Sequence, residues 1–164
     1  KYTNTYVIDD ANYLMCFESF DKAKETGYGK FTDMAKNFYD MLKYIINNTP
    51  DDTIVYLLAH TEQSEVTGKI KMKTIGKMLD SQLTVEGLFD IVLLATADNG
   101  KFRFITHSDG TNTAKSPMGM FENNDIDNDL KMVDDTIREY WSLPPRRGYV
   151  AKKTSTVAPK SKTV

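Results

Sequence analysis

Seven residues, T-I-V-Y-L-L-A from Thr53 to Ala59, form an almost unbroken apolar run that ends in the polar set His60-Thr61-Glu62. A strand with one wet face would alternate polar and apolar residues, so this run predicts a strand covered on both faces. Such strands belong to sheets flanked by helices on either side, and the neighbouring sequence supplies helices. Phe31, Met34, Ala35, Phe38, Met41, Leu42, Ile45 and Ile46 recur at helical spacing, which predicts one amphipathic helix from Phe31 to Asn47. The run Asn47-Asn48-Thr49-Pro50-Asp51-Asp52 stops that helix and makes a turn. Tyr6-Val7-Ile8 predicts a second buried strand, which ends in Asp9-Asp10.

The remaining elements follow from local pattern. Ala11 to Glu25 reads as helix, with Tyr13, Leu14, Phe17 and Phe20 on one side, and Gly27 and Gly29 interrupt it. Thr74 to Leu88 reads as helix or helical turns. Ile91 to Ala97 and Lys101 to Thr106 predict a hairpin about Asp98-Asn99-Gly100, because Asn-Gly suits a type I′ turn. Leu130 to Trp141 predicts a last amphipathic helix with Leu130, Val133, Ile137, Tyr140 and Trp141 inward, ended by Pro144-Pro145. Strand, long helix, buried strand and hairpin together make an α/β pattern with a largely parallel sheet. Ligands of such sheets bind beyond the carboxyl ends of the strands, where Asp9-Asp10 and His60-Thr61-Glu62 are both expected.

Tyr6 to Asp10 has the Walker B form, an apolar strand followed by acids. The first acid of that form holds Mg²⁺, usually through water, and a second orients or deprotonates the attacking water. The plainer reading makes Asp9 and Asp10 the N-cap and first-turn acids of the next helix. His60 and Thr61 have the place of a sensor that reads a terminal phosphate; the plainer reading is a strand reaching solvent. Gly27-Tyr28-Gly29-Lys30 follows a charged helical segment and reads as a linker turn, and no G-x-x-x-x-G-K-[ST] occurs in the chain. Lys69, Lys71 and Lys73 alternate about Ile70 and Met72, either along a nucleic-acid backbone or on a solvated hairpin arm. Lys115 lies in a polar loop from which a cation could reach a phosphate. Ser108, His107 and Asp109 are adjacent in sequence and cannot form a catalytic triad.

Composition narrows the classes. No apolar run approaches the roughly 18 residues of a membrane-spanning helix. Cys16 is the single cysteine, so no intrachain disulfide forms and a reducing, cytoplasmic setting is expected. One cysteine with only His60 and His107 argues against a zinc site. Residues 144–164 carry Arg146, Arg147, Lys152, Lys153, Lys160 and Lys162 and no acid, which leaves a net −8 on residues 1–143 of a chain of net −2. A basic, disordered tail on an acidic domain is the expected organisation, the tail either touching a polyanion or aiding solubility.

The order of motifs V-I-D-D-A-N-Y-L-M, G-Y-G-K-F-T-D-M, L-A-H-T-E, K-T-I-G-K-M-L-D, V-E-G-L-F and T-A-K-S-P-M-G-M-F resembles the phage AAA-family ATPases. These are RecA-like P-loop proteins related to the Sak-type single-strand annealing ATPases, and the resemblance runs from Tyr6 to Trp141. It implies a RecA-like core that binds ATP and Mg²⁺ and acts on DNA, mainly single-stranded, in phage replication or recombination. It also implies a homo-oligomer, without membrane association, in the host cytoplasm. Asp9 would take the Mg²⁺ position. Asp10 would stand where many relatives carry a catalytic glutamate, with a carboxylate one C–C bond shorter. Thr61 or His60 would be the sensor and Lys115 a γ-phosphate contact across a subunit interface.

The chain departs from that family in carrying no Walker A loop. The strand feeding such a loop is expected to lie between the Walker B and sensor strands, so the two strands present would flank a central gap. From this, and from a start at Lys1, the chain is expected to be a fragment that lacks the N-terminal part and is inactive alone. A different class of function, a degenerate ATPase-fold scaffold or interaction module, is the alternative.

Overall fold

The computed structural model describes residues 3–76, 78–79 and 82–147. Calls on the basic tail beyond Arg147, and on Lys77, Asp80 and Ser81, lie outside the described residues. In chain order the elements are β1 (Thr5–Ile8), α1 (Asn12–Asp21), α2 (Gly29–Asn48), β2 (Ile54–Leu57), β3 (Thr61–Gln63) and β4 (Ile70–Met72). A 3₁₀ turn over Val85–Leu88 precedes β5 (Leu94–Asp98), β6 (Lys101–Ile105), β7 (Asp125–Asp127) and α3 (Leu130–Tyr140).

The protein is mixed α/β. β1 and β2 form a parallel pair with Thr5 opposite Ile54 and Ile8 opposite Leu57. The largely parallel sheet expected from the sequence is present as this one pair. β3–β4 and β5–β6–β7 are antiparallel. The expected gap between the first two strands is overturned, because β1 hydrogen-bonds directly to β2, and the argument for a missing central strand falls with it.

Register places β2 between two apolar clusters. Leu57 packs with Met15 of α1, Ala35, Phe38 and Leu42 of α2, and Val85 of the 3₁₀ turn. Ile54 and Tyr56, on the opposite face, pack with Val133 and Ile137 of α3 and with Phe104 and Ile126 of the antiparallel sheet. Helices thus cover the parallel pair from both sides, although each residue of β2 keeps some exposure and Leu58 is exposed. β1 is less covered than a buried strand: Tyr6 and Val7 are about half exposed.

Helix α2 follows its expected stripe, burying Met34, Ala35, Phe38 and Leu42, while Ile46 at its far end stays exposed. The hairpin also forms as expected. Asp98 stands opposite Lys101, and Asn99 and Gly100 take φ of 48° and 77°, the left-handed pair a type I′ turn requires. One apolar stripe faces outward, and one face differs from expectation. In α1 the aromatic side points to solvent and Met15 enters the core. In α3 Tyr140 and Trp141 are exposed, and the space inward of the helix is taken partly by Asp134 and Arg138.

Candidate functional site

The site begins with the parallel pairing. A crossover through α1 and α2 brings the carboxyl ends of β1 and β2 side by side, and backbone bonds carry the alignment past the strands. Leu58 N–H donates to Ile8 O at 2.9 Å, and Ala11 N–H donates to Leu58 O at 2.8 Å. The backbone turns sharply between these bonds, with Asp10 in the left-handed region at φ 51°. Asp is among the few side-chain-bearing residues that accept that conformation readily.

Neither carboxylate caps α1. The helix is capped at Ala11 with no side-chain hydrogen bond, and no acid lies in its first turn. The plainer assignment of Asp9 and Asp10 as helix-capping acids is therefore excluded. Both residues are exposed. Asp10 Oδ1 lies 3.3 Å from His60 Nε2, joining the tips of the two strands.

His60 is fixed from two sides. Its backbone N–H donates to the side-chain Oδ1 of Asn12, a residue only 4% exposed, at 3.0 Å. Its ring meets Tyr13 edge-on with centroids 5.7 Å apart. Asn12 was not singled out in the sequence; a polar residue directly after Asp9-Asp10-Ala11 is the signal that could have found it. A shallow groove of about 280 Å³ adjoins the carboxylates, lined by Ile8, Asp9, Asp10, Tyr13, Leu14 and Phe17.

The other candidates make no contact with Asp9 or Asp10 among the described interactions. Thr61 opens β3 opposite Met72 and is exposed. Lys69, Lys71 and Lys73 lie in and beside β4, which forms the hairpin arm with β3. Lys71 Nζ meets Glu62 at 3.1 Å, and Lys69 and Lys73 are exposed. Lys115 is held through its backbone, its N–H and C=O both bonded to Val92 at 2.9 and 2.8 Å, beside the β5–β6 hairpin. Next to it Ser116 Oγ lies 3.1 Å from His107 Nε2, and Thr106 Oγ1 lies 2.9 Å from His107 Nδ1. These contacts tie the 107–116 loop to the end of β6.

Chemically, Asp9 and Asp10 suit a hydrated Mg²⁺, which takes one or two carboxylates and completes its shell with water and substrate phosphate. Among the described residues no group of three or more His, Cys, Asp or Glu side chains is placed to hold a metal ion. No described helix is long and apolar enough to cross a membrane. No family model matches the chain, and neither a curated protein nor a solved structure matches it.

Proposed function

We propose that the chain is a relative of the RecA-like phage P-loop ATPases that binds Mg²⁺-ATP and acts on DNA in replication or recombination. The observation that carries this reading is the Asp10–His60 contact across the tips of two directly paired parallel strands, with Asp9 beside it. Strand ends of this kind are where α/β sheets bind ligands. Bound Mg²⁺ would neutralise charge on the terminal phosphates. Asp9 would hold the ion through water, Asp10 would orient or deprotonate the attacking water, and His60 with Thr61 would read the terminal phosphate. Lys69 and Lys73, on the arm that leaves the site through β3, would face nucleic acid. In this reading the phosphate-gripping lysine is not among these residues, and the chain alone hydrolyses nothing.

The second reading, a non-catalytic interaction module, is favoured by the exposed aromatic face of α1, where Phe17 and Phe20 are 61% and 80% exposed. Paramagnetic Mn²⁺ separates the two. With Mn²⁺ standing in for Mg²⁺ and ATP present, the amide signals of Asp9, Asp10 and His60 should broaden selectively in the wild-type chain and not in Asp9→Asn. Absent or scattered broadening would leave the interaction module.

A further inference from the structure

We infer that Ser116 and His107 form a second chemical site, in which the Ser116 hydroxyl attacks a small activated ester and His107 Nε2 takes its proton. The inference does not rest on the nucleotide reading.

Proton counting fixes the state of the ring. Thr106 Oγ1 lies 2.9 Å from His107 Nδ1, and Ser116 Oγ lies 3.1 Å from Nε2. Thr106 is fully buried, and its one hydroxyl proton goes to the carbonyl of Asn123, 2.9 Å away, which can only accept. Thr106 Oγ1 is then an acceptor for the ring, so the neutral imidazole carries its proton on Nδ1. Nε2 is left with a lone pair, and the Ser116 hydroxyl is the donor that faces it. The Thr106 carbonyl, 3.2 Å from Ser116 Oγ, is the alternative acceptor and holds the oxygen within reach of the ring. This is the order of hydrogen bonds in which a histidine serves a serine as base, with a threonine hydroxyl in the place of the third, orienting group.

The surroundings suit the chemistry. His107 and Ser116 are half-buried, so a small solute reaches them, while Thr106 behind them is sealed. The loop is braced: Lys115 is bonded to Val92 through both backbone groups, and Ser108 Oγ donates to Asn112 O at 2.6 Å. No described group accepts the Ser116 N–H, which leaves a donor beside the reacting carbon for the developing oxyanion. Ser116 Oγ bonds to the ester carbonyl carbon as its proton passes to Nε2. The tetrahedral adduct expels the alcohol, which leaves with that proton, and the acyl group stays on Oγ. Water then gives a proton to Nε2 and bonds to the acyl carbon; the acid departs and Ser116 recovers its proton. A threonine hydroxyl stabilises an imidazolium less than a carboxylate does, which confines the site to esters with a good leaving group.

The probe is p-nitrophenyl acetate, with acid quenching and site-resolved mass spectrometry. Acetyl should reach Ser116 about 100-fold faster in the wild-type chain than in His107→Gln, whose amide oxygen can keep the Ser116 contact without its basicity. A fluorophosphonate, which loses fluoride to the same attack and leaves a lasting adduct, traps Ser116 where the acetyl turns over too fast to accumulate. Hydrogen exchange at the Thr106 amide, which donates to Asn124 O at 2.9 Å, reports that the end of β6 stays folded in the variant. Urea-unfolded wild type supplies a comparison that needs no variant, and its Ser116 should react as slowly as that of His107→Gln. A wild-type Ser116 left unlabelled by both probes overturns the inference. Labelling at an equal rate in His107→Gln or in the unfolded chain also overturns it, reducing the His107 contacts to a brace for the loop.

Discussion

Arg138 and Asp134, one turn apart on α3, form an ion pair 2.9 Å long whose side chains are only 5% and 1% exposed. All five guanidinium N–H groups are used: Nε on Asp134, one terminal nitrogen on the carbonyls of Asp52 and Pro144, the other on Asn4 O and Thr5 Oγ1. Asp134 accepts in addition from Thr5 and from Tyr56. One side chain thereby ties the start of β1, the turn before β2 and the segment after α3 to a single helix. Arg138→Ala leaves the buried Asp134 carboxylate with only the more distant Arg146 guanidinium, 3.9 Å away, and takes one donor from each of four other acceptors, and should cost about 3–5 kcal/mol in urea denaturation. Replacing both partners by Leu should cost less than Arg138→Ala alone, since no buried charge is then orphaned.

The same pocket predicts an alkaline weakness. Burial, with the negative charge of Asp134 beside it, holds the Tyr56 hydroxyl well above the ordinary tyrosine range. A proton held more tightly in the folded than in the unfolded chain stabilises the fold fully below the unfolded pKa, about 10. That stabilisation is lost as pH rises from there toward the folded value, because the unfolded state releases the proton first. The urea midpoint should therefore fall above pH 10, by at most about 1.4 kcal/mol per pH unit from this group. Tyr56→Phe should flatten that slope and cost about 0.5–1.5 kcal/mol at neutral pH through the lost hydrogen bond.

The orientation of α1 is tested by opposite expectations on one helix. Met15 is 1% exposed and packs in the α2 cluster, so Met15→Ala should cost about 2–5 kcal/mol. Phe17→Ser and Phe20→Ser, on the solvent side, should each stay within about 0.5 kcal/mol of wild type in the same thermal or urea titration. A large loss at Phe20 would mean that the helix is turned about its axis.

This helix also marks where the sequence stopped being informative. Periodicity locates elements whose apolar stripe coincides with burial, as in α2, and turn chemistry located the Asn99-Gly100 hairpin. It cannot say which way a stripe points, and in α1 Tyr13, Leu14, Phe17 and Phe20 form a stripe that faces out. In α3 burial fell on Asp134 and Arg138, which no apolar pattern reveals, because their interior position depends on acceptors far along the chain. The direct pairing of β1 with β2 was missed for a related reason: strand neighbours are set by crossover geometry, not by local residues. Asp9, Asp10 and His60 were legible because strand ends carry a local signature, a short apolar run closing in polar residues. Asn12, which positions His60, lacks one.

That positioning gives the last prediction. The Asn12 carbonyl oxygen is buried and accepts the His60 N–H, holding the turn after β2 against the start of α1. Asn12→Ala removes the acceptor without adding bulk and leaves a polar N–H where water reaches it poorly, which should cost about 1–3 kcal/mol. The loss should be local as well as global. The His60 amide should exchange faster than in wild type by more than the drop in overall stability accounts for, while amides in the centre of α2 slow or quicken only with that drop. Asn12→Ser, which keeps a shorter acceptor, should fall between the two. If the His60 amide tracks the α2 amides in every variant, the bond does not fix the turn, and the Asp10–His60 contact is held by the parallel strands alone.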